Sequence, residues 1–228
     1  MKVLVKPLTS FFMLIHSMLI SMGISNPSWQ YFLDILIFTL IIKLILLPLT
    51  IQQTKSSARM TEFQPKFKEL QNKYKNDPQK LQKKQMELQK ELGINPMSGC
   101  LLMLIQFPIF IAMYEVIQYF PGFDGVPFLW LKSLGAPDKT MILPILSGLS
   151  QYFYGIMMLP KDADEDDPQI GQQKRMNVFM SIIFVVMLYK SKAALWLYWI
   201  ISNLLQMLMQ FFILKKYMQK TEEDKVVK

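Results

Sequence analysis

The sequence is poor in the residues on which disulfide frameworks, metal sites and common active sites depend. It has one cysteine, Cys100, which excludes an internal disulfide, and one histidine, His16, which excludes a metal site built on two imidazoles. It contains neither a glycine-rich phosphate loop nor a Gly-x-Ser-x-Gly turn. We therefore expect a protein that is not an enzyme and that needs no metal or other cofactor.

Charge is also scarce. Charged residues make up 18% of the 228 residues, against roughly 25% in an ordinary soluble domain, while apolar residues make up 52%. A soluble domain with so little charge could hardly cover its surface. The net charge of +8 is concentrated in short stretches between long uncharged ones. This segregation is typical of an integral membrane protein with basic segments outside the bilayer.

The apolar runs predict an all-α, polytopic membrane fold with five transmembrane helices. A bilayer core of about 30 Å requires about 20 helical residues, and the predicted spans are 29–51, 98–120, 140–159, 173–190 and 193–214. The fourth has the shortest apolar stretch, so it spans only if flanking basic side chains snorkel or the bilayer thins. Pro108 and Pro144 are expected to kink their helices. The residues expected in interfacial aromatic belts are Trp130, Trp196, Trp199, Tyr119 and Tyr198.

Residues 1–28 are predicted to hold an amphipathic helix in the outer membrane interface. At about 100° per residue, Lys6, His16 and several hydroxyl residues fall on one side and most apolar residues on the other. The alternative is a signal peptide, because Lys2 and Lys6 precede an apolar stretch. The amphipathicity favours the interfacial helix.

The distribution of lysine and arginine predicts the orientation. With segment 52–97 inside the cell, 18 basic residues lie on the inner side, counting Lys174 and Arg175 at the inner end of the fourth span, and 6 on the outer side, counting Lys190 at its outer end. The N-terminus and the loop 121–139 are then outside, whereas the acidic loop 160–172 and the tail 215–228 are cytosolic. Acidic residues have little influence on this rule.

The inner segment 52–97 is predicted to form an antiparallel helical hairpin. Apolar residues recur at helical spacing before and after the turn signal Asn76-Asp77-Pro78. One interpretation is a solvated segment whose charges only fix topology. The other is a docking arm for a partner with an acidic surface, such as ribosomal RNA. Its candidate docking residues are Arg59, Lys66, Lys73, Lys75, Lys83 and Lys84.

Lys43 is the most informative residue, because it lies deep within the first predicted span. If the span ends near Thr50, the residue lies about 10 Å from the cytosolic boundary, and an ionised group there is unfavourable by several kcal/mol unless it is hydrated or paired. Asp34 and Glu115, the carboxylates within spans, do not reach its level in straight helices. We therefore expect water, carbonyl groups or a transient ligand to solvate the ammonium.

Polar residues in the other spans lie about 12 Å from the same boundary, and some share one helix face. They predict a polar groove open to the cytosol and the inner leaflet. The competing interpretation, hydrogen bonds between helices, explains any one of them but not a charge. The candidate groove residues are Lys43, Thr39, Gln106, Ser147, Gln151, Ser181, Asn203 and Gln206.

Several motifs resemble the YidC-type membrane protein insertase family. They are Leu40-Ile41-Ile42-Lys43-Leu44-Ile45-Leu46-Leu47-Pro48-Leu49, Glu62-Phe63-Gln64-Pro65-Lys66, Gly93-Ile94-Asn95-Pro96, Gly99-Cys100-Leu101, Gln106-Phe107-Pro108-Ile109-Phe110, Ala194-Leu195-Trp196-Leu197-Tyr198-Trp199 and Ser202-Asn203. The resemblance extends from about Pro7 to Tyr217.

The resemblance implies a five-helix bundle, a cytosolic hairpin and a groove with one positive residue, which by position is Lys43. The family pattern has arginine there; lysine keeps the charge but loses the planar fork that grips a carboxylate. The sequence lacks both the large outer domain of Gram-negative members and the lipoprotein cysteine of many Gram-positive ones. We expect a short, Gram-positive-like bacterial member in the plasma membrane.

The expected function is insertion and folding of nascent membrane proteins through the groove. The expected partners are nascent membrane proteins and the lipid bilayer. Further candidate partners are the ribosome, the signal recognition particle receptor and the Sec translocon. We do not expect the protein to bind DNA. The alternative is a small transporter or channel subunit with Lys43 as its ligand site. A third hypothesis is an assembly factor that holds partner helices without inserting them.

Overall fold

The computed structural model describes residues 2–24, 26–93, 98–159 and 168–226. Within these residues the chain is mostly helical, and the β-structure is one isolated bridge between Phe128 and Leu131. The helices are α1 Lys2–Ser21, α2 Pro27–Ile45, α3 Leu47–Glu62, α4 Gln64–Lys73, α5 Pro78–Glu91, α6 Ser98–Tyr119, α7 Ile142–Met157, α8 Pro168–Leu188 and α9 Ala193–Val226, with a short 3₁₀ turn at Pro121–Phe123.

Within the described part of the chain, two helices, Pro27–Ile45 and Ala193–Lys215 of α9, are long and apolar enough to cross a membrane, and Ile142–Met157 is apolar but shorter. Large apolar side chains are exposed on α7, α8 and α9, including Leu149, Phe179, Val186 and Phe212. Apolar surface of this extent is stable against lipid rather than water.

A break at Leu46 separates α2 from α3. Pro48 has no N–H to donate to the carbonyl of Leu44, so the first helix ends and a second one starts with proline in its first turn. The predicted first span 29–51 therefore comprises α2 and the start of α3. The rest of α3 packs against α6 and α9, whereas the sequence placed it in the hairpin.

Helices α4 and α5 pack against each other and form the hairpin of the structure. The turn lies at 74–77, where the Asp77 side chain accepts a hydrogen bond from the backbone N–H of Lys80 at 3.0 Å and Pro78 starts α5. Gly93 follows the helix with φ +62°, a conformation that glycine adopts without strain. Residues 94–97 of the predicted hairpin lie outside the described residues.

The end of the molecule that carries residues 121–139, here called the loop end, holds the apolar core. Phe12 and Ile15 of α1, Phe38 of α2, Phe123 and Trp196 are buried there. The loop also caps two helices. The N–H groups of Ala193 and Ala194 donate to carbonyls of the loop at 2.8 and 3.0 Å, and Asp138 accepts from the N–H of Leu143 at 2.8 Å.

Some predicted details differ. Pro144 lies in the first turn of α7, where an N–H would have no acceptor within the helix, so the proline removes no helical hydrogen bond and does not require a kink. Helix α9 continues through the predicted tail to Val226. Residues 160–167 of the predicted acidic loop lie outside the described residues, and residues 168–172 begin α8.

Helix α1 lies in the predicted segment 1–28 and packs against α2 and α6. It buries Phe12, Ile15 and Leu19 and exposes large apolar side chains such as Leu14 and Met18. The predicted polar side is divided, because His16 turns toward the protein while Ser10 and Ser17 are exposed.

Candidate functional site

Lys43 lies in the last turn of α2, one turn before the break at Leu46. Its side chain is 6% exposed. The ammonium Nζ donates hydrogen bonds to Oε1 of Gln206 at 2.9 Å and to Oε1 of Gln106 at 3.4 Å. Among the described residues, no carboxylate lies within ion-pair distance of this group. Of the expected ligands of the ammonium, which were water, carbonyl groups or a transient ligand, the described residues supply two side-chain carbonyl oxygens.

The hydroxyl of Tyr198 contacts one of these amides. Nε2 of Gln106 donates to the Tyr198 hydroxyl at 3.3 Å, which leaves Oε1 of the same amide directed at Lys43. The side chain of Gln106 is half-buried, whereas Gln206 is 5% exposed. Three helices, α2, α6 and α9, therefore contribute one connected group of polar side chains, here called the amide site: Lys43, Gln106, Tyr198 and Gln206.

A second polar cluster joins α7 to α9. Asn203 contacts the hydroxyl of Ser150 at 3.0 Å and Oε1 of Gln151 at 3.3 Å. Asn203 is buried and lies one turn before Gln206 on α9. Ser147, one turn before Gln151, is fully buried, and its hydroxyl has no hydrogen-bond partner among the described residues.

Two of the predicted groove residues bond within their own helices instead. The Thr39 hydroxyl donates to the carbonyl of Ile35 at 2.6 Å, and the Ser181 hydroxyl donates to the carbonyl of Asn177 at 2.9 Å. Both side chains are buried. The structure thus brings Lys43, Gln106 and Gln206 into direct contact, places Ser147, Gln151 and Asn203 on the neighbouring α7–α9 contact, and leaves Thr39 and Ser181 bonded locally.

Polar burial continues along α3, whose residues from 52 onward the sequence had assigned to the hairpin. Thr50, Gln53 and Thr54 are buried at 1–4% exposure on the helix that packs against α6 and α9. Thr50 donates to the carbonyl of Leu46 at 3.1 Å. A line of polar side chains therefore extends from Lys43 toward the end of the molecule that carries α4 and α5, here called the hairpin end.

Tyr198 and Trp196 were expected in an interfacial aromatic belt, and this expectation is wrong. Both are fully enclosed, at 1% and 0% exposure, because α9 packs here against the loop-end core. Residues 198, 202 and 206 follow each other at intervals of four on α9, so Tyr198 shares a helix face with Gln206. This spacing was the available signal for its role. Tyr119 and Trp130 are exposed.

The sequence placed the carboxylate of Asp34 within a span but did not reveal its partner. Asp34 is fully buried on α2, and its Oδ2 lies 2.6 Å from Nδ1 of His16 on α1. The imidazole stacks on Tyr31 with ring centroids 5.1 Å apart and meets the edge of Phe120 at 5.6 Å. The signal was the carboxylate itself, because an acid within a span needs a partner and His16 is the one histidine of the chain.

The predicted docking residues are distributed over three helices of the hairpin end. Arg59 belongs to α3, Lys66 and Lys73 to α4, and Lys83 to α5, and all four are exposed. Lys75, also exposed, lies in the turn. Lys84 is half-buried and forms an ion pair with Glu87. Between α4 and α5 an open cleft of about 350 Å³ is lined by lysine and glutamate side chains with Leu70 and Leu88.

Comparison with known proteins identifies the family to which the chain is similar. The family model described as 60Kd inner membrane protein matches residues 23–221, which is most of the chain. The match and the all-helical fold define a membrane protein of that family.

Relatives name the family's activity. The chain is 44% identical over 218 residues to the membrane protein insertase YidC of Clostridium tetani, covering 96% of both proteins. It is 40% identical to that of Clostridium perfringens, covering 100% of both. A solved structure described as an active YidC insertase with its first transmembrane domain resolved superposes with a TM-score of 0.68 at 30% identity. That match covers 91% of this chain and 45% of the solved one. The chain belongs to the YidC family of membrane protein insertases.

Proposed function

We propose that this protein inserts membrane proteins without an enzymatic reaction, using the amide site as the positive end of a hydrated groove. One observation carries the proposal: a buried lysine whose ligands are neutral amides. Maintaining an ionised group inside a membrane protein is unfavourable by several kcal/mol, and such groups are usually functional. An uncompensated cation at this depth is suited to attract an acidic segment.

The proposed topology has five spans, α2, α6, α7, α8 and α9, with the N-terminus outside and the C-terminus in the cytosol. The excess of lysine and arginine in the inner segments supports this orientation. The loop end then faces outward, and the hairpin end faces the cytosol. At 1.5 Å per residue, the 16 residues of α7 span only about 24 Å. We therefore expect a thinned bilayer beside this helix.

In the proposed mechanism a nascent chain approaches from the hairpin end. Its hydrophilic outer segment enters along the polar line of α3 and reaches Lys43. Gln106 and Gln206, with Gln151 and Asn203 of the neighbouring cluster, replace hydrogen bonds that the segment loses with water. The groove shortens the apolar path that polar groups must cross. Ser147, Ser181 and Thr39 line its deeper part in this proposal.

Partition of the apolar segment into lipid drives the step, at roughly 25 cal/mol per Å² of apolar area. The segment leaves along the exposed apolar faces of α6 and α7, where Phe107 and Leu149 face outward. The membrane potential assists acidic tails by about 2.3 kcal/mol per charge at 100 mV. This account requires no nucleotide.

The experiment is insertion by the purified full-length protein in liposomes. Its substrates are two single-span proteins that differ only in aspartate or asparagine in the outer tail. Lys43→Ala should lower insertion of the aspartate substrate about tenfold, because a hydrogen bond to a charged group contributes about 1.5–3 kcal/mol. Lys43→Arg should retain activity.

The matched control is Lys132→Met, which removes an exposed lysine of the loop 121–139. It should insert both substrates like the wild type. Equal insertion of the aspartate substrate by Lys43→Ala and the wild type would remove Lys43 from the mechanism.

A transporter or channel would need a polar path through both ends of the bundle. At the loop end the described residues form an apolar core around Phe12, Phe38 and Phe123. This packing does not favour the transporter alternative.

The hairpin is proposed as the docking arm for a cytosolic partner with an acidic surface, the ribosome or a targeting receptor. Exposed basic residues on α3, α4 and α5 support this role. Deleting residues 60–90 should reduce co-sedimentation with ribosomes, most strongly at low salt, because the attraction is electrostatic. Unchanged co-sedimentation would leave the hairpin as a determinant of topology alone. Contact with the Sec translocon is a separate proposal, which crosslinking in membranes tests.

A further inference from the structure

The geometry of Gln106 suggests how the amide site accepts an acidic group, an inference that rests on the proposed function. In the structure the site is arranged for a cation alone. Both amide oxygens face the ammonium, at 2.9 Å from Gln206 and 3.4 Å from Gln106. A carboxylate has only acceptor oxygens. If it approached Lys43 on the side of Gln106, it would meet another acceptor oxygen.

The hydrogen-bond donors of Lys43, Gln106 and Tyr198 allow the site to avoid this contact between two acceptors. The ammonium carries three N–H donors, and two acceptors contact it among the described residues. The amide of Gln106 has donors on one side and an acceptor on the other. The hydroxyl of Tyr198, which accepts from Nε2 of Gln106 at 3.3 Å, is able to donate as well as accept. The same tyrosine therefore satisfies Gln106 in either amide orientation.

Gln106 is the more weakly held of the two amide ligands of Lys43. The contact from Lys43 to Gln106 is 0.5 Å longer than the contact to Gln206. Gln106 is half-buried, whereas Gln206 is enclosed at 5% exposure. Helix α6, which carries Gln106, packs mainly against α1 and α3 and only lightly against α9.

We propose that Gln106 is a positioning residue whose amide turns over when an acidic group of the substrate reaches Lys43. Before binding, Oε1 of Gln106 solvates the ammonium and Nε2 donates to Tyr198. After binding, Oε1 accepts from the hydroxyl of Tyr198, and Nε2 donates to the substrate carboxylate. Lys43 exchanges the weaker of its two amide ligands for that carboxylate and keeps Gln206. The hydrogen bonds of Gln106 and Tyr198 are conserved in number through the exchange.

The turnover makes the site selective for acidic groups. A neutral side chain offers the ammonium no better ligand than the amide oxygen already present. A carboxylate gains both the cation and an N–H donor. Selectivity is therefore measured as the insertion of the aspartate substrate divided by that of the asparagine substrate, here called the acidic preference. A merely structural role of Gln106 would change both insertion rates and leave this ratio unaltered.

Two substitutions of Gln106 test the proposal in the full-length protein in liposomes. Gln106→Met keeps the length of the side chain and removes both the oxygen and the N–H donors. If the glutamine were only a competing acceptor, its removal would raise the acidic preference. The proposal expects a fall of about threefold or more, because the bound carboxylate loses its second donor. An unchanged or increased preference in Gln106→Met overturns it.

Gln106→Glu places a fixed carboxylate beside Lys43 and cannot donate. Its acidic preference should fall to the value of Lys43→Ala, and a wild-type preference contradicts the proposal. The control Gln118→Glu makes the same change at an exposed position of α6 and should behave like the wild type. If Gln106→Glu does not accumulate in membranes, Gln106→Met decides alone. A wild-type preference in Lys43→Ala would refute the proposed function, whereas a fall in Lys43→Ala without one in Gln106→Met would refute only the turnover.

Discussion

Helix α2 carries two buried charges with opposite surroundings. Asp34 at the loop end is fully buried and lies 2.6 Å from the imidazole of His16. Lys43, nine residues or about 13 Å further along the helix, is almost as deeply buried but has only neutral amide ligands among the described residues. One charge has a titratable partner on a neighbouring helix, and the other has none.

The difference fits a structural contact at Asp34 and the substrate site that we propose at Lys43. A carboxylate only accepts hydrogen bonds, so the imidazole N–H is the donor of this buried contact, and the loss of either group leaves the other buried without its partner. The pair therefore holds α1 against α2. Neutral amides stabilise an ammonium without cancelling its charge. In the proposed function Lys43 therefore still attracts an incoming acidic group, at some expense in stability.

The largest expected effect comes from removing one partner of the His16–Asp34 pair. His16→Ala leaves the carboxylate of Asp34 buried without its partner and should reduce the free energy of unfolding by about 3 kcal/mol. The measurement is the thermal unfolding midpoint of the purified protein in detergent micelles. Lys43→Met separates no ion pair. Its free energy of unfolding, compared through the same midpoint, should stay within about 1 kcal/mol of the wild-type value or rise above it.

The double variant His16→Ala/Asp34→Ala provides the control. Removing both partners should recover part of the stability that His16→Ala loses, since no buried charge remains unpaired. Additive losses from the two single substitutions would show that the groups contribute through packing alone and that the comparison with Lys43 does not hold.

A smaller loss should follow from weakening the amide site. Gln206→Leu removes the closer acceptor of Lys43 and should reduce the free energy of unfolding by about 2 kcal/mol. In a Lys43→Met background the same substitution should have little effect, because no ammonium remains to be solvated. The two unfolding midpoints, measured in the same detergent, form a double-mutant cycle. Equal losses in both backgrounds would contradict the assignment of Gln206 as a ligand of Lys43.

Much of this fold follows from local rules that a single sequence displays. Long apolar runs predicted helices, and Asn76-Asp77-Pro78 predicted the turn that separates α4 from α5. The course of the chain after Pro48 did not follow from such rules. Proline explains why α2 ends, but α3 stays with the bundle because it packs on α6 and α9, which are distant in sequence.

The candidate site was predictable where a physical penalty drew attention to one residue. The unfavourable burial of a charge identified Lys43, and matching depth identified Gln106 and Gln206. Tyr198 was missed because an aromatic residue near the end of an apolar run is more often interfacial. His16 was missed because it lies 18 residues from Asp34, on another helix. No periodicity within one helix reports such a pair.

Asp138 at the loop end allows a test with pH, and the expected effect is smaller again. Burial alone would raise the pKa of Asp138. The carboxylate, however, accepts hydrogen bonds from the side chains of Thr140 and Trp130 and from the backbone N–H groups of Thr140 and Leu143. These bonds outweigh the effect of burial and hold the pKa below its ordinary value of 3.8. A lowered pKa means that the charged form stabilises the fold. This stabilisation is complete above the unfolded-state pKa and is lost as the pH falls through the folded-state pKa.

Asp138→Asn should therefore lower the free energy of unfolding by about 1 kcal/mol at neutral pH. Its unfolding midpoint should approach that of the wild type once the pH falls below about 4. A difference between the two proteins that persists unchanged into acid would assign the effect to packing rather than to charge.

The ion pair between Lys192 and Asp124 resembles the His16–Asp34 pair in joining two titratable groups. It differs in that its carboxylate is not buried. Its atoms lie 3.3 Å apart; the side chain of Lys192 is 14% exposed and that of Asp124 is 60% exposed. A pair whose carboxylate is open to solvent is screened by water, so it contributes between about 0 and 1 kcal/mol and weakens as salt is added. Lys192→Met should therefore shift the unfolding midpoint by less than any substitution above, and the shift should shrink at high salt. A loss as large as that of His16→Ala would mean that pairing itself, rather than pairing in a buried site, distinguishes the loop end from the amide site.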